Sequence, residues 1–165
     1  MHLEQFNEVR RPDAVALLGP CLGIPRWVDE LVDARPYADL EALLEAGRRA
    51  AAPFTPVEVA TALAHHPRIG QRPAGTGAEA RLARAEQAGL GKADAAAAEA
   101  LAAGNRAYEE KFGQVFLIRA AGRSREEILA SLTARLAHTP EQEQSIIGEQ
   151  LREIAVLRLE GLLDR

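Results

Sequence analysis

Apolar side chains recur every three or four residues through most of this chain, and Pro and Gly cut the pattern into blocks. That spacing predicts a succession of amphipathic helices. The sharpest block opens at Ser124-Arg125-Glu126-Glu127, where a hydroxyl and a Glu three positions later can each satisfy an orphan backbone amide. Ile128, Leu129, Leu132 and Leu136 then share one face, and the helix is predicted to stop near Ala137. Thr55-Pro56-Val57-Glu58 repeats the device with Pro at the first helical position, predicting a helix over about 56–65. Thr139-Pro140 opens the longest block, in which Ile146, Ile147, Leu151, Ile154, Leu157 and Leu162 hold helical period to the end of the chain.

Three earlier blocks are bounded by proline: 12–18 before Gly19-Pro20, 25–34 before Pro36, and 38–50 before Pro53. A further helix begins near Thr76 or Gly77 and carries Glu86. Ala93 to Lys111 is Ala-rich, with Leu101, Tyr108 and Phe112 as its larger contacts and Gly113 as a C-terminal stop. Val115-Phe116-Leu117-Ile118, set between Gly113 and Gly122, is expected to be extended, although periodicity alone leaves a buried helical turn open. Gly70 to Gly77 has the composition of a mobile loop, either a surface connector or a lid.

Composition sharpens this picture. The chain has 165 residues, 47% of them hydrophobic but only 4% aromatic, a balance rich in Ala and Leu that favours helix over sheet. The expectation is an all-α fold, a single compact multi-helix domain over 1–165 with one short extended segment near 115–120. A net charge of −4 argues against a nucleic-acid partner, which would call for excess Lys and Arg. Cys21 is the only cysteine, so no intramolecular disulfide forms and a reducing cytoplasm fits. The first residues lack the layout of a signal peptide, no apolar run approaches the roughly 20 residues of a membrane span, and Leu163-Asp164-Arg165 is not a peroxisomal ending. A soluble protein without a membrane partner is expected.

Candidate chemistry centres on His66-Pro67-Arg68-Ile69-Gly70 and on Glu86, twenty positions after the His. Pro67 disfavours the α conformation at His66, so the preceding helix should end at about His65 and present the imidazole at its C-terminal end. There, the helix dipole and a nearby carboxylate would favour imidazolium, making His66 and Glu86 a proton-transfer pair. The plainer alternatives are a helix-capping His and a solvated Glu paired with Arg81 or Arg84. His65 diverges from His66 by about 100° on a helix, His2 sits in a terminus expected to fray, and His138 suits a cap or solvent. No metal site is expected, because the His and Cys spacing offers no set of three or four ligands, and no phosphate loop of the Gly-Lys-Ser/Thr kind is present. Arg158, within the apolar stretch 155–159, either binds an anionic group or lies on the polar face beside Asp164 and Arg165.

Together, His66-Pro67-Arg68-Ile69-Gly70, Glu86-Gln87-Ala88-Gly89-Leu90 and Asn105 to Gly113 with Phe116-Leu117-Ile118 resemble the 2-oxo-4-hydroxy-4-carboxy-5-ureidoimidazoline (OHCU) decarboxylase family. Trp27, Arg35-Pro36-Tyr37, Ile154-Ala155 and Leu157-Arg158-Leu159 extend the resemblance over most of the chain. It implies an all-helical, cytoplasmic homodimer that uses no metal or organic cofactor and decarboxylates a small ureidoimidazoline to S-allantoin, following uricase and hydroxyisourate hydrolase in urate degradation. By the same resemblance His66 would be the acid/base and Glu86 its partner. Pro67, Ala83, Arg84, Ala85 and Gln87 would line the substrate, the backbone of Ile118, Arg119, Ala120, Ala121 and Gly122 would bond it, and Arg158 would bind an anionic part. Ala83 stands where the family often has Ser, so a hydroxyl contact is missing or supplied elsewhere. Such a reaction suits a cofactor-free protein, because the electron pair released with CO₂ can be taken up within the substrate as an enolate. The competing readings are a helical interaction module without turnover and a hydrolase acting on a related ureide.

Overall fold

Capping chemistry sets several of the helix starts. A computed structural model describes residues 1–163; Asp164 and Arg165, invoked above beside Arg158 and at the C-terminal end, lie outside the described residues. The helices are α1 (Leu3–Glu8), α2 (Arg11–Leu18), α3 (Pro25–Asp33), α4 (Leu40–Ala50), α5 (Pro56–Leu63), α6 (Ala78–Gln87), α7 (Ala95–Phe112), α8 (Arg125–Arg135) and α9 (Pro140–Leu162), with a single 3₁₀ turn at Ala88–Leu90. No strand occurs among the described residues, so the fold is all-α.

At α8 the Glu127 amide donates to Ser124 Oγ at 3.2 Å while the Ser124 amide donates to Glu127 Oε2 at 2.7 Å, the reciprocal pair that the sequence predicts. Thr55 with Glu58 does the same for α5, and Thr139 with Gln142 for α9. Asp94 caps α7 by accepting from the Ala97 amide at 2.7 Å, and Gly113 ends that helix at φ +68°, a left-handed conformation that favours glycine. Residues 115–120 run without helix, turn or bend, so the expected extended segment is present, although it pairs with no strand. Helix α1 falls where fraying was expected: the His2 amide donates to Gln5 Oε1 at 3.1 Å and the N-terminal ammonium to Leu162 O at 3.5 Å.

The chain packs as two compact units, Met1–Ala62 with the chain from Leu151 onward, and Leu63–Gln150. In the first, Phe6, Leu18, Trp27, Leu31 and Leu43 are buried at 0–1% exposure. Gly47 lets Trp27 close on α4, and the indole Nε1–H donates to the Gly47 carbonyl at 2.9 Å. Arg35 holds the carbonyls of Val32, Phe6 and Val9, and the Tyr37 hydroxyl donates to Leu31 O at 2.8 Å. In the second unit, Ile69, Leu101, Tyr108, Phe116, Ile118, Ile128 and Leu132 form one apolar cluster. Residues 116–118, though irregular, are therefore core, and their backbone polar groups need partners other than a sheet.

Candidate functional site

All but one of the site residues that the resemblance implies belong to the second unit, and His66 and Pro67 lie in the turn that follows α5. The helix ends at Leu63, two residues short of the expected His65, and the chain turns through Ala64 and His65, the His66 amide donating to the Leu63 carbonyl at 3.1 Å ahead of Pro67. His66 and Pro67 are half-buried.

Four further interactions hold the turn. Arg68 pairs with Glu109 through Nε and Nη2 at 2.6 and 3.0 Å, the Ile69 carbonyl accepts from Asn105 Nδ2 at 3.0 Å, and the Gly70 amide donates to Gln87 Oε1 at 3.0 Å. The Gln71 amide closes the turn on Arg68 O at 3.1 Å. Asn105 and Glu109 lie four residues apart on α7, so one face of that helix grips both Arg68 and Ile69. Gly70 sits at φ +84°, and a Cβ there would lie 2.5 Å from Leu101 Cδ2, so glycine is required by conformation and by space.

The bond from Gly70 to Gln87 ties the C-terminal end of α6, Glu86 included, to the turn that carries His66. Ala83 is buried at 5% exposure, Ala85 is exposed, and Glu86 is half-buried. Arg84 donates to the carbonyls of Pro73 and Gly75 at 3.3 and 2.9 Å, and Arg81 to Thr76 O at 3.3 Å, so α6 holds the Gly70–Gly77 loop. A cavity of about 550 Å³ lies beside the turn, walled by Arg68, Gly70, Asn105, Glu109 and Arg125 among others; neither His66 nor Glu86 contributes to its wall.

Ile118 and Ala120 are buried, Gly122 adopts φ +78°, and the segment is fixed from α8 and α9. Arg135 Nη1 donates to Leu117 O at 2.7 Å, and Gln150 Oε1 accepts from the Arg119 amide at 2.9 Å. The Arg119 guanidinium bonds Ala121 O at 3.1 Å. Behind it lies a polar cluster that sequence reasoning missed. Glu143, fully buried, accepts at Oε1 from the Tyr108 hydroxyl at 2.5 Å and from Arg135 Nε at 2.9 Å, while His138 Nδ1 lies 2.9 Å from Oε2. Burial alone would raise the Glu143 carboxyl, but the bonds from Arg135, Tyr108 and His138 outweigh it and hold the pKa below the ordinary value. Burial first, and the Glu143 bond second, push the Tyr108 phenol up. His138 is thus a partner of a buried carboxylate where a cap or solvent role was expected. The signals available in the sequence were the acid in the first turn of α9 and an Arg on the apolar side of α8.

Arg158 belongs to the first unit, where it is buried at 7% exposure and donates from Nη1 to Pro20 O at 3.1 Å. No described helix is long and apolar enough to cross a membrane.

The sequence profile described as OHCU decarboxylase aligns with residues 7–160. A 2-oxo-4-hydroxy-4-carboxy-5-ureidoimidazoline decarboxylase of Amia calva is 37% identical over 100 residues, 59% of this chain and 57% of that protein. The uric acid degradation bifunctional protein of Bacillus sp. (strain TB-90) is 26% identical over 98% of this chain, which spans 32% of that relative's length. A protein of Haloferax volcanii with the same name as the Amia relative is 28% identical over 95% of this chain and 93% of its own. Among solved structures, a crystal structure of OHCU decarboxylase in the presence of (S)-allantoin superposes with a TM-score of 0.73 at 25% identity, covering 87% of this chain and 94% of that one. That of (S)-allantoin synthase gives 0.73 at 19% identity over 99% of this chain and 55% of its own, a likeness of fold. With a profile match running from α1 to α9 and a fold shared with a solved OHCU decarboxylase, this chain belongs to the OHCU decarboxylase family.

Proposed function

We propose that this protein decarboxylates 2-oxo-4-hydroxy-4-carboxy-5-ureidoimidazoline to S-allantoin, without metal or organic cofactor, late in urate degradation. The observation that carries the reading, beyond family membership, is the immobilised turn at 66–71: side chains from α6 and α7 bond three consecutive residues of it, Arg68, Ile69 and Gly70. A proton donor works when it is held in register with the carbon it protonates, and this turn is built to hold His66 still.

In the proposed reaction the bond to the carboxylate carbon breaks and CO₂ departs. The electron pair passes into the conjugated ring of the substrate as an enol or enolate, and a proton from His66 to one face of the carbon sets the S configuration. Glu86 orients the imidazole and polar groups of the ligand. Pro67, Ala83, Arg84, Ala85 and Gln87 line the ligand, and backbone groups of Ile118–Gly122 bond its developing oxyanion. With Ala at 83, no hydroxyl reaches the ligand from that position. Arg158, carried over from the sequence resemblance alone, binds an anionic group of the ligand.

Circular dichroism of the allantoin formed from freshly generated substrate, run beside CO₂ detection, tests this. His66→Ala and Glu86→Ala are expected to stay folded and to lose about 10² or more in rate. Wild-type rates in both variants would defeat the residue assignment, carboxylate retained in the product would indicate a hydrolase, and no turnover by the unmodified chain would indicate a binding module. We further propose a homodimer, and a location in the reducing cytoplasm, where a chain whose single cysteine is the buried Cys21 has no intramolecular disulfide to form. A monomer by light scattering at working concentration would overturn the dimer, and export to an oxidising compartment in a fractionation experiment would overturn the location.

A further inference from the structure

Ile118 lies between two peptide groups that are both locked from outside. The first joins Leu117 to Ile118, and its oxygen accepts from Arg135 Nη1 at 2.7 Å. The second joins Ile118 to Arg119, and its N–H donates to Gln150 Oε1 at 2.9 Å. In a trans peptide the C=O and the N–H point in opposite directions. Fixing Leu117 O on Arg135 therefore turns the Ile118 N–H away from Arg135, and fixing the Arg119 N–H on Gln150 turns the Ile118 C=O away from Gln150. A single residue is left with its donor and its acceptor both directed, and neither direction depends on a neighbouring strand.

Arg135 does more than aim the group. A guanidinium bonded to a peptide oxygen polarises that peptide, which strengthens the N–H at its other end as a donor. The guanidinium keeps its direction because Glu143 Oε1 lies 2.9 Å from both Nε and Nη2, with Tyr108 and His138 bonding the same carboxylate. The guanidinium carbon also lies 4.5 Å from the Phe116 ring centroid, a cation–π contact that helps to hold it in place. A buried Arg with a buried carboxylate is an expensive way to stabilise a core, since apolar residues of similar volume often do as well. Its bond to Leu117 O gives it a use that packing does not.

We propose that Arg135 and Gln150 are positioning residues that direct, and in the case of Arg135 polarise, the Ile118 backbone groups toward the substrate. This rests on the reading of Ile118–Gly122 as ligand-binding. It makes the Ile118 N–H the strongest backbone donor of that segment, matched to an oxygen that gains negative charge as CO₂ leaves.

Arg135→Met would strand the Glu143 carboxylate and unfold the unit, so the test uses Arg135→Lys, Gln150→Leu and Gln150→Glu, each checked for wild-type circular dichroism. Turnover is measured with freshly generated substrate, and the Ile118 amide is followed by ¹⁵N NMR as (S)-allantoin is added. Arg135→Lys and Gln150→Leu are expected to lower kcat about tenfold, a fraction of the loss seen when an oxyanion donor is deleted, with KM nearly unchanged. Gln150→Glu, which keeps an acceptor for the Arg119 amide, is expected to restore the rate. The Ile118 amide should move with (S)-allantoin in the wild-type protein and move less in Arg135→Lys. If His66→Ala is inactive but Gln150→Leu turns over with wild-type kcat and KM, or if the Ile118 amide ignores saturating (S)-allantoin, the clamp is refuted and the decarboxylase reading stands. No turnover by the wild-type chain refutes that reading and the clamp's role with it.

Discussion

Replacing Gly70 by Ala is the most direct probe of the turn that carries His66. Two costs add. Gly70 occupies φ +84°, where an L side chain is disfavoured by about 1–2 kcal/mol. The new methyl would also sit 2.5 Å from Leu101 Cδ2 and 3.4 Å from its Cγ, and Leu101 is only 2% exposed, packed in the apolar cluster. Overpacking of this kind costs about 1–3 kcal/mol. The sum is about 3 kcal/mol, which for a chain of this length lowers the melting midpoint by roughly 6–12 °C. Urea denaturation of Gly70→Ala, Leu101→Ala and the double variant separates the terms. Leu101→Ala alone should cost about 2–5 kcal/mol, and in its background the glycine substitution should cost only the backbone part, giving a coupling of about 2 kcal/mol. A Gly70→Ala protein within about 0.5 kcal/mol of wild type, or strictly additive variants, would refute the argument. Because the Gly70 amide bonds Gln87, the proposed decarboxylation should also slow in the same variant.

Asn105→Ala should destabilise by about 1–3 kcal/mol, because it leaves the buried Ile69 carbonyl without its donor, with some relief from removing Asn105 Oδ1, which has no partner; an unchanged urea midpoint would contradict this. Gly104→Ala gains about 1 kcal/mol of helix propensity, but its Cβ would lie 2.4 Å from Leu132 Cδ2 in a residue 1% exposed. Net destabilisation is expected, and a stabilised variant would show that α8 yields to the added methyl. Glu58 is held at about 2, below its ordinary 4.5, chiefly by the hydrogen bond from Arg26 with further help from Thr55, against a smaller effect of burial. Its folded pKa is depressed, so its contribution is complete above 4.5 and disappears as pH falls toward 2. The wild-type urea midpoint should therefore drop further between about pH 6 and about pH 3 than that of Glu58→Gln; equal drops would remove the pair from the acid response.

The helix starts at 56, 125 and 140 were legible because a capping box is complete within four residues. The family resemblance was legible for a similar reason, since its motifs are contiguous, and the profile match over 7–160 agrees with it. Helix α1 was not, because its six residues make too little helix to stand alone and depend on the burial of Phe6. Leu157 keeps helical period with its neighbours yet is 41% exposed, since period marks a stripe and says nothing of how wide a stripe the packing covers. His138 was misjudged because its partner Glu143 becomes a buried acceptor only once Tyr108 and Arg135 close over it.

What the sequence determined by itself was therefore local: where helices begin and end, and that His66 follows a helix stop while Glu86 rides the next helix. Only the tertiary structure decided what holds them. Asn105, Glu109 and Gln87 meet the turn across 36, 41 and 17 positions of chain, and Arg135 reaches Leu117 across 18. Caps and stops arise from groups a few bonds apart and leave a signature in the residue string. A side chain aimed at a distant carbonyl leaves none, because the same Asn, Gln or Arg on an exposed face would be spelled identically.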